Sequence, residues 1–335
     1  MTADTTTETV AGNFGDALAA AQQDAMRLDP SIVLMGQDIE AGFPFGATKA
    51  LVDEFGAERV RNTPISEAAT MGFGVGAALA GARPVVEVDF SGFLLLGMDQ
   101  LINNAAKLRY MSGNQVSVPL VVRVGQGPLG SFAAQHSQTQ HAYLSSIPGL
   151  VVLVPSSPQA AYDAMRWALT QSDTVVLLED MRLYRRTGTF TRGEVPDDVQ
   201  PVVIRSGTTL SVITYGYGVT LATQAASVLA EEGIDLDIVS LERMSPLDSS
   251  VMVQSARRTG RVLCLTDDPP AFGVGSTLSA VITAQANDAL ELPPVILGSK
   301  PVPTPYTPDL EALVFPSVES VCEAARRLAA WNGEA

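Results

Sequence analysis

Apolar residues near the start of the chain first recur at helical spacing and then form a short continuous run. Residues 13–28 carry an apolar side chain at every third or fourth position, and Asp29-Pro30 interrupts this pattern before the run Ile32–Met35. Such spacing places side chains on one face of a helix, whereas a short apolar run bounded by Pro is typical of a buried strand. We therefore predict a helix followed by a strand.

The same alternation continues through the first half of the chain. Thr63 is predicted to cap a helix that runs to residue 80, with Pro64 at its first helical position. Strands of continuous Val, Ile and Leu between helices indicate a parallel sheet that is covered on both faces. The further predicted elements are the strands 84–88, 120–124, 151–154 and 175–179 and the helices 96–110 and 158–170.

A second α/β segment follows a stretch that is rich in Thr, Gly, Pro and Asp, between residues 187 and 207. Such composition is typical of a linker. Its predicted elements are the strands 210–214, 237–240 and 262–266 and the helices 219–232, 249–259, 275–286 and 318–330. The predicted organisation is therefore a flexible tail, a first domain, a linker and a second domain, at residues 1–10, 11–190, 191–206 and 207–335.

Charge and composition restrict the function. The net charge of −15 and the sequence pI of about 4.5 make nucleic acid and acidic membranes poor partners. Cys264 and Cys322 are the only cysteines and lack metal-ligand spacing, which fits a reducing compartment. The first residues are not basic, as targeting peptides are, and no apolar run approaches the ~18 residues of a membrane helix. We expect a soluble cytoplasmic protein.

The only two histidines lie in one segment after the Gly-rich loop 125–130. Loops at strand ends are where α/β sheets place their sites, and histidine exchanges protons near neutral pH. We therefore favour a catalytic role for His136 over a structural one. His141 is interpreted as an ordinary surface or interface histidine.

Glu67 has two interpretations. A carboxylate in the first turn stabilises its helix by roughly 0.3–1 kcal/mol, and this role alone would explain the residue. The neighbouring apolar residues Ile65, Met71 and Phe73 could instead bury the carboxylate and raise its pKa, as a proton-sharing group requires.

Other motifs favour packing over chemistry. The glycines of residues 72–76 lack the spacing of a dinucleotide site and lie inside a predicted helix, so close helix packing is the better interpretation. Phe90 and Phe93 follow a predicted strand and are interpreted by default as aromatic residues of the core. In the alternative interpretation, one of them stacks on a flat ring. We find no Ser-His-Asp order, phosphate-binding loop or Cys/His metal cluster, so hydrolase and nucleotide-triphosphatase functions lack residues.

The ordered set of motifs resembles the beta subunits of the decarboxylating component of 2-oxo acid dehydrogenase complexes, of the pyruvate, acetoin and branched-chain types. The resemblance covers nearly the whole chain. It implies a thiamine-diphosphate-binding, pyrimidine-type parallel-sheet domain followed by a transketolase C-terminal-like α/β domain. The similar segments include residues 61–67, 80–87, 98–100, 105–113, 118–123, 135–138, 148–150 and 245–248.

The resemblance also implies roles for site residues. Glu67 would hydrogen-bond a ring nitrogen of the aminopyrimidine and so trigger the cofactor, Phe93 would pack against that ring, and His136 would guide protons and acyl transfer. Asp89 stands beside the cofactor where relatives usually carry Met or Gln. Gln37 replaces a common Glu, and residues 267–268 are Asp-Asp where a His-Glu pair is usual.

The same resemblance assigns the diphosphate and Mg²⁺ to a separate alpha subunit, because this chain has no Gly-Asp-Gly segment. It implies an α2β2 heterotetramer with thiamine diphosphate shared at the α–β interface, and a lipoyl acyltransferase core as a further partner. It also implies a structural K⁺ ion, held by the main-chain carbonyls of Leu120, Ala168, Leu169, Gln171 and Asp173.

Three functions follow from these observations. The first is oxidative decarboxylation of a small, pyruvate-like 2-oxo acid with acyl transfer to lipoamide. The second is a split transketolase-like or acyloin-forming enzyme that uses an aldehyde acceptor. The third is a scaffold subunit without catalysis, which the presence of Glu67 and His136 argues against.

Overall fold

The computed structural model describes residues 7–42, 44–48 and 50–333. The chain divides into two compact units. The first contains the chain up to Gln126 together with Tyr143–Val199, and the second contains Gly127–Ala142 together with the chain from Gln200 onward. The segment Gly127–Ala142 thus lies between strands of the first unit in sequence but belongs to the second unit.

A parallel sheet of buried strands forms the centre of the first unit. Its strands are β2 (Ile32–Gly36), β3 (Val60–Asn62), β4 (Arg83–Val88), β5 (Val121–Gln126), β6 (Val151–Leu153) and β7 (Val175–Asp180). They lie in the order β6-β7-β5-β4-β2-β3, and every neighbouring pair is parallel. A separate antiparallel pair joins β1 (Glu8–Asn13) to β8 (Thr187–Arg192).

The first unit also contains α-helices. They are α1 (Phe14–Leu28), α2 (Leu51–Phe55), α3 (Glu67–Leu79), α4 (Ser91–Leu94), α5 (Leu108–Met111) and α8 (Pro158–Ala168). Asn13 and Asp16 form a reciprocal capping box that fixes the start of α1, and Ser157 caps α8. The apolar faces of α1 and α8 pack together. None of the described helices is both long and apolar enough to cross a membrane.

The glycines of α3 are needed at one position. A Cβ built on Gly74 would lie 2.7 Å from Val86 Cγ2, so only glycine allows α3 to approach β4 this closely. A Cβ on Gly72 would make ordinary contacts, and one on Gly76 would meet open space. Close packing of α3 against β4 therefore explains Gly74 but does not explain Gly72 or Gly76.

An ion cluster is buried inside the first unit. Arg123 on β5 binds Glu179 on β7 through Nε at 2.7 Å, and Glu87 on β4 through Nη1 at 2.5 Å. The Tyr184 hydroxyl donates to Glu179. Burial raises the pKa of Glu87 to about 7, although Arg123 opposes this change. One guanidinium thus serves two carboxylates that have no access to water.

The second unit contains a smaller sheet with its own helices. Its strands lie in the order β14-β13-β10-β11-β9, and only β9 is antiparallel to its neighbour. Apolar residues of β10, β11, α9 and α13 form its core. The elements are β9 (Val202–Arg205), β10 (Leu210–Thr214), β11 (Leu236–Ser240), β12 (Arg243–Ser245), β13 (Val262–Leu265), β14 (Val295–Leu297), α9 (Tyr217–Ala230), α10 (Ser250–Thr259), α11 (Val274–Ala286), α12 (Pro308–Glu311) and α13 (Val318–Ala329). Two further short helices, α6 (Ala133–His136) and α7 (His141–Ser145), flank the end of the segment Gly127–Ala142.

Two predicted helices differ from the structure. The helix that contains Glu67 begins at that residue with Ser66 as its N-cap, so Thr63 does not cap it and Pro64 precedes it. The predicted helix 96–110 is divided into 3₁₀, π and short α turns. Its start packs tightly, since a Cβ on Gly97 would lie 3.2 Å from the Glu67 carbonyl oxygen.

The expected tail and linker also contain regular structure. Strand β1 starts at Glu8, inside the predicted flexible tail, and residues 1–6 lie outside the described residues. Strands β8 and β9 lie in the segment 187–207, where a linker was expected. Both strands pair antiparallel at sheet edges, where short and polar sequences suffice.

We predict that Arg123→Met lowers the free energy of unfolding by about 3–5 kcal/mol at pH 7, because Glu87 and Glu179 would stay buried without their cation. The loss should be smaller at pH 5, where Glu87, whose pKa is raised to about 7, is protonated. Urea denaturation at both pH values measures the effect. Arg109→Met, which removes an exposed ion pair with Asp173, should cost no more than about 1 kcal/mol. Equal losses in both variants would contradict the prediction.

Candidate active site

Three polar side chains converge at the carboxyl edge of the first unit's sheet. Gln37 follows β2, Asp89 follows β4, and Glu67 begins α3 after β3. These strands are neighbours and parallel, so their carboxyl ends meet at one edge. Gln37 Nε2 donates to Glu67 Oε1 at 3.4 Å, and the negative charges of Glu67 and Asp38 act on Asp89. The fold therefore brings together two of the predicted site residues, Glu67 and Asp89.

Glu67 is a buried carboxylate with a relative exposure of 7%. It lies in the first turn of α3, where the helix dipole favours a negative charge. The residues that were expected to bury it do so only in part, since Met71 is buried but Ile65 and Phe73 are 82% and 64% exposed. Burial of Glu67 thus comes from tertiary packing rather than from its nearest apolar neighbours in sequence.

Asp89 is also buried, and its Oδ1 atom has no hydrogen-bond partner among the described residues. Burial, with repulsion from Asp38 and Glu67, raises the pKa of Asp89 from 3.8 to about 6. A buried oxygen without a donor is unfavourable unless a ligand or water satisfies it. Asp89 can therefore hold a proton near neutral pH or accept a hydrogen bond from a bound molecule.

Phe93 lies on α4 and belongs to a row of aromatic rings. It meets Phe90 edge-to-face with centroids 5.7 Å apart, and Phe90 meets Phe45 in the same way at 6.1 Å. Phe45 in turn stacks on Tyr184 at 4.6 Å. Phe93 is only partly buried, whereas Phe90 is fully buried. The Phe93 ring therefore has a fixed support and an accessible surface on which a flat ring could pack.

His136 belongs to the second unit, at the end of α6. Its ring is partly buried and lies edge-on to Phe132 with centroids 6.4 Å apart. The loop before it has left-handed backbone at Ser131 and Ala133, with φ of 64° and 58°. Such backbone is unfavourable for residues other than glycine, so other contacts must hold the loop in place.

Glu311 on α12 holds that loop. Its carboxylate accepts hydrogen bonds from the backbone N–H groups of Gly130 at 3.0 Å and Ser131 at 3.1 Å. Glu311 is itself buried. Bonds from N–H groups to a carboxylate are stronger than bonds between neutral groups, so this contact can offset the unfavourable backbone.

His141 is buried, and its interpretation as a surface or interface histidine was wrong. Its Nδ1 lies 3.4 Å from Asp268 Oδ1, and Asp268 also accepts from Thr139 Oγ1 at 2.9 Å and from the Tyr215 hydroxyl at 3.2 Å. Burial alone would raise the pKa of Asp268, but His141 and the hydrogen bonds hold it below its usual value. Asp268 is thus a second anchor of the segment that carries His136.

The five carbonyls proposed for K⁺ already have hydrogen-bond roles in part. Arg83 Nη1 donates to the carbonyl of Leu169 at 3.0 Å and to that of Gln171 at 2.9 Å. The carbonyl of Leu120 accepts from the backbone N–H of Val175. A potassium ion here would share two carbonyls with a guanidinium, and like charges repel. The potassium site stays a prediction.

The part of the chain that the structure describes contains no cluster of three His, Cys, Asp or Glu that could hold a metal ion.

Comparisons with known proteins agree with this architecture. The transketolase pyrimidine-binding domain matches residues 12–187, and the transketolase C-terminal domain matches residues 200–321. The pyruvate dehydrogenase E1 component subunit beta of Rhizobium meliloti (strain 1021) is 35% identical over 325 residues, 96% of this chain and 70% of that protein. The 2-oxoisovalerate dehydrogenase subunit beta of Bacillus subtilis (strain 168) is 36% identical over 325 residues, 95% of this chain and 98% of that protein.

The chain belongs to the family of 2-oxo acid dehydrogenase E1 beta subunits. A solved structure titled "Split gene transketolase, inactive beta4 tetramer" has a TM-score of 0.71 and 20% identity, and covers 96% of this chain and 98% of that chain. At this identity the likeness supports the fold alone. The predicted fold class, a pyrimidine-type parallel-sheet domain and a transketolase C-terminal-like domain, is confirmed.

Several residues around the site of this E1 beta subunit gave no signal in the sequence. Glu311 lies about 180 positions after the loop that it holds, and Tyr215 reads as an ordinary strand-end aromatic. Asp268 was recognised only as a departure from relatives. A buried charge within a Val-rich strand, such as Arg123 in β5, is the one signal that could have revealed a tertiary partner in advance.

We predict that Asp89→Asn changes the pH dependence of stability. The pKa of Asp89 is about 6 in the folded state and 3.8 in the unfolded state, so the folded state binds this proton more tightly. The resulting contribution to the free energy of unfolding is fully present below pH 3.8 and is lost as the pH rises through 6. Between pH 4 and 7 the E1 beta chain should therefore lose up to about 3 kcal/mol relative to Asp89→Asn. Denaturation at several pH values measures this difference. The exposed Asp53→Asn is the matched control, and parallel profiles for wild type and Asp89→Asn would refute the prediction.

We predict that Glu311→Ala frees the loop before His136. The amides of Gly130 and Ser131 would lose a charged acceptor, so their hydrogen exchange should become roughly 10- to 100-fold faster. Exchange followed by mass spectrometry of peptides from 127–142 measures this change. Asp309→Ala, an exposed carboxylate on the same short helix, should leave exchange unchanged. Unchanged exchange in Glu311→Ala would show that the loop does not depend on this carboxylate.

Proposed function

We propose that this E1 beta subunit decarboxylates a small, pyruvate-like 2-oxo acid with thiamine diphosphate, supplies the aminopyrimidine half of the site, and passes the acyl unit to lipoamide. The observation that carries the proposal is the buried Glu67 carboxylate at the carboxyl edge of the parallel sheet, between Gln37 and Asp89. A carboxylate that is kept from water beside a second carboxyl group is suited to sharing a proton with a heterocycle.

The residues at this edge fit an aminopyrimidine ring. The ring carries nitrogen donors and acceptors and has a flat apolar face. Glu67 can share a proton with a ring nitrogen, the accessible part of Phe93 can pack on the face, and Asp89 Oδ1 lacks a donor that an amino group could supply. When bound, thiamine diphosphate supplies the electron sink that a 2-oxo acid needs in order to lose carbon dioxide.

Different residues of the chain would orient the carboxylate, hold a proton and transfer protons to the substrate. Gln37 donates to Glu67 Oε1 and so fixes the orientation of that carboxylate. Burial, with repulsion from Asp38 and Glu67, raises the pKa of Asp89, so Asp89 can hold a proton beside the Glu67 carboxylate. The imidazole of His136, on a loop held by Glu311 and Asp268, would move protons at the reacting carbonyl during acyl transfer.

We further propose that an alpha subunit supplies the diphosphate and Mg²⁺ site in an α2β2 tetramer. The chain contains no Gly-Asp-Gly segment, and its described residues offer no acidic metal cluster. Its net charge of −15 suits a basic partner surface on a lipoyl acyltransferase core.

We predict that Glu67→Gln lowers turnover of the co-purified alpha–beta complex by 100-fold or more, because an amide cannot exchange the proton. Reduction of an artificial electron acceptor with pyruvate or 3-methyl-2-oxobutanoate measures turnover. Glu58→Gln, which changes an exposed carboxylate, should retain full activity. Unchanged turnover in Glu67→Ala would instead make this chain a scaffold subunit.

The acceptor is tested with the same complex. Incubation with a free lipoyl domain should acylate it, as mass spectrometry would detect. Asp89 and the pair Asp267-Asp268 depart from the family pattern, so aldehydes are the second acceptor class to assay. Product formation with aldehydes and none with the lipoyl domain would favour the transketolase-like or acyloin-forming alternative.

A further inference from the structure

Two arginines of the first unit are almost fully buried, and they differ in their partners. Arg123 is 1% exposed and binds two carboxylates. Arg166, on α8, is 4% exposed, and its Nε and Nη1 atoms have no hydrogen-bond partner among the described residues. Burying an ion without a partner is strongly unfavourable, so a buried guanidinium of this kind requires a ligand or ordered water.

Arg166 lines a cavity of about 290 Å³ inside the first unit. The cavity lies at the amino ends of β2 and β4, at the edge of the sheet opposite Glu67, and is lined by Ile32 and Arg83 from these strands. Leu28 at the end of α1 closes one side. The site is thus separate from the residues proposed for thiamine chemistry and does not depend on that proposal.

The charges around this cavity favour an anion. Arg83 and Arg166 both line it, and Asp29 is the one carboxylate among its lining residues. Asp29 is already engaged, because Ser31 donates to its Oδ1 through both N and Oγ, and Arg83 Nε lies 3.5 Å from its Oδ2. The guanidinium of Arg59 also lies nearby and donates to the Asp29 carbonyl at 2.8 Å. The local balance is therefore positive.

We propose that this cavity binds a small oxyanion, a carboxylate or phosphate group, between Arg166 and Arg83. The oxyanion would accept hydrogen bonds from the guanidinium group of Arg166 and neutralise its buried charge. Arg83 is held in position by its bonds to the carbonyls of Leu169 and Gln171 and adds a second positive charge. Planar guanidinium groups match carboxylate and phosphate oxygens, so both ligand classes fit.

The test compares thermal unfolding of the full chain in sodium chloride with that in sodium phosphate or sodium acetate at the same ionic strength. At a hundredfold excess of ligand over its dissociation constant, the unfolding midpoint of the wild type should rise by about 5 °C. Phosphate also stabilises folded proteins by general exclusion, so the comparison with Arg166→Met carries the argument. That variant should lose the specific rise and be at least as stable as the wild type in chloride.

Arg327→Met, which removes an exposed arginine from α13, is the matched control and should keep the rise. A rise with phosphate alone, acetate alone or both supports the oxyanion site and identifies the ligand class. An equal rise in wild type and Arg166→Met overturns it. Crystals of the wild type soaked in sodium selenate give an independent measurement that needs no variant. An anomalous selenium peak is expected at a position where the selenate oxygens lie within hydrogen-bond distance of Arg166. Water alone at this position, together with no specific rise of the unfolding midpoint, overturns the proposal.

Discussion

Repulsion between carboxylates that a parallel sheet forces together is the constraint on which the first unit depends. Strand β4 carries Glu87 within its run, and Asp89 follows two residues later, directly after the end of the strand. At Glu87 the repulsion from Glu179 is relieved by the buried Arg123. No described cation pairs with Asp89, and burial with repulsion from Asp38 and Glu67 raises its pKa, so a proton can relieve the repulsion instead. Strand β4 therefore carries one member of the ion cluster and leads to a carboxyl group that can take up a proton.

The ion cluster also supports the carboxyl edge of the sheet. Arg123 joins β4, β5 and β7 through its two carboxylates, and these strands carry the edge at which Asp89 lies. Tyr184 belongs to the same ion cluster and also stacks on Phe45, which contacts Phe90 in the row of aromatic rings that includes Phe93. Tyr184 therefore links the ion cluster to the aromatic rings that support Phe93.

The sequence predicts best what depends on local patterns. Helix α1 and the strands β2, β4, β5, β6 and β7 were placed to within about two residues, because a buried strand needs an unbroken apolar run and a cap needs a particular side chain. The three-residue strand β3 was not predicted. The helix expected at 96–110 is divided into 3₁₀, π and short α turns, and the close approach of Gly97 to Glu67 is a tertiary contact that no local pattern indicates. Glu67 could be identified as a site residue from the resemblance. Its burial could not be predicted from its apolar neighbours in sequence, because Ile65 and Phe73 are exposed to solvent. His141 was misjudged for the same reason, as its partner Asp268 is 127 positions away.

The segment Gly127–Ala142 belongs to the second unit although the first unit continues after it in sequence, and this affects the order in which parts of the chain can fold during synthesis. The segment emerges from the ribosome well before Asp268 and Glu311, the two carboxylates that hold it. The sheet of the first unit can form as soon as β7 is made, but the loop that carries His136 must wait for α12, near the end of the chain. Nascent chains would therefore form the sheet edge that carries Glu67 before the loop that carries His136 is held in place, so a prematurely released fragment would contain only the first of these two parts in its folded form.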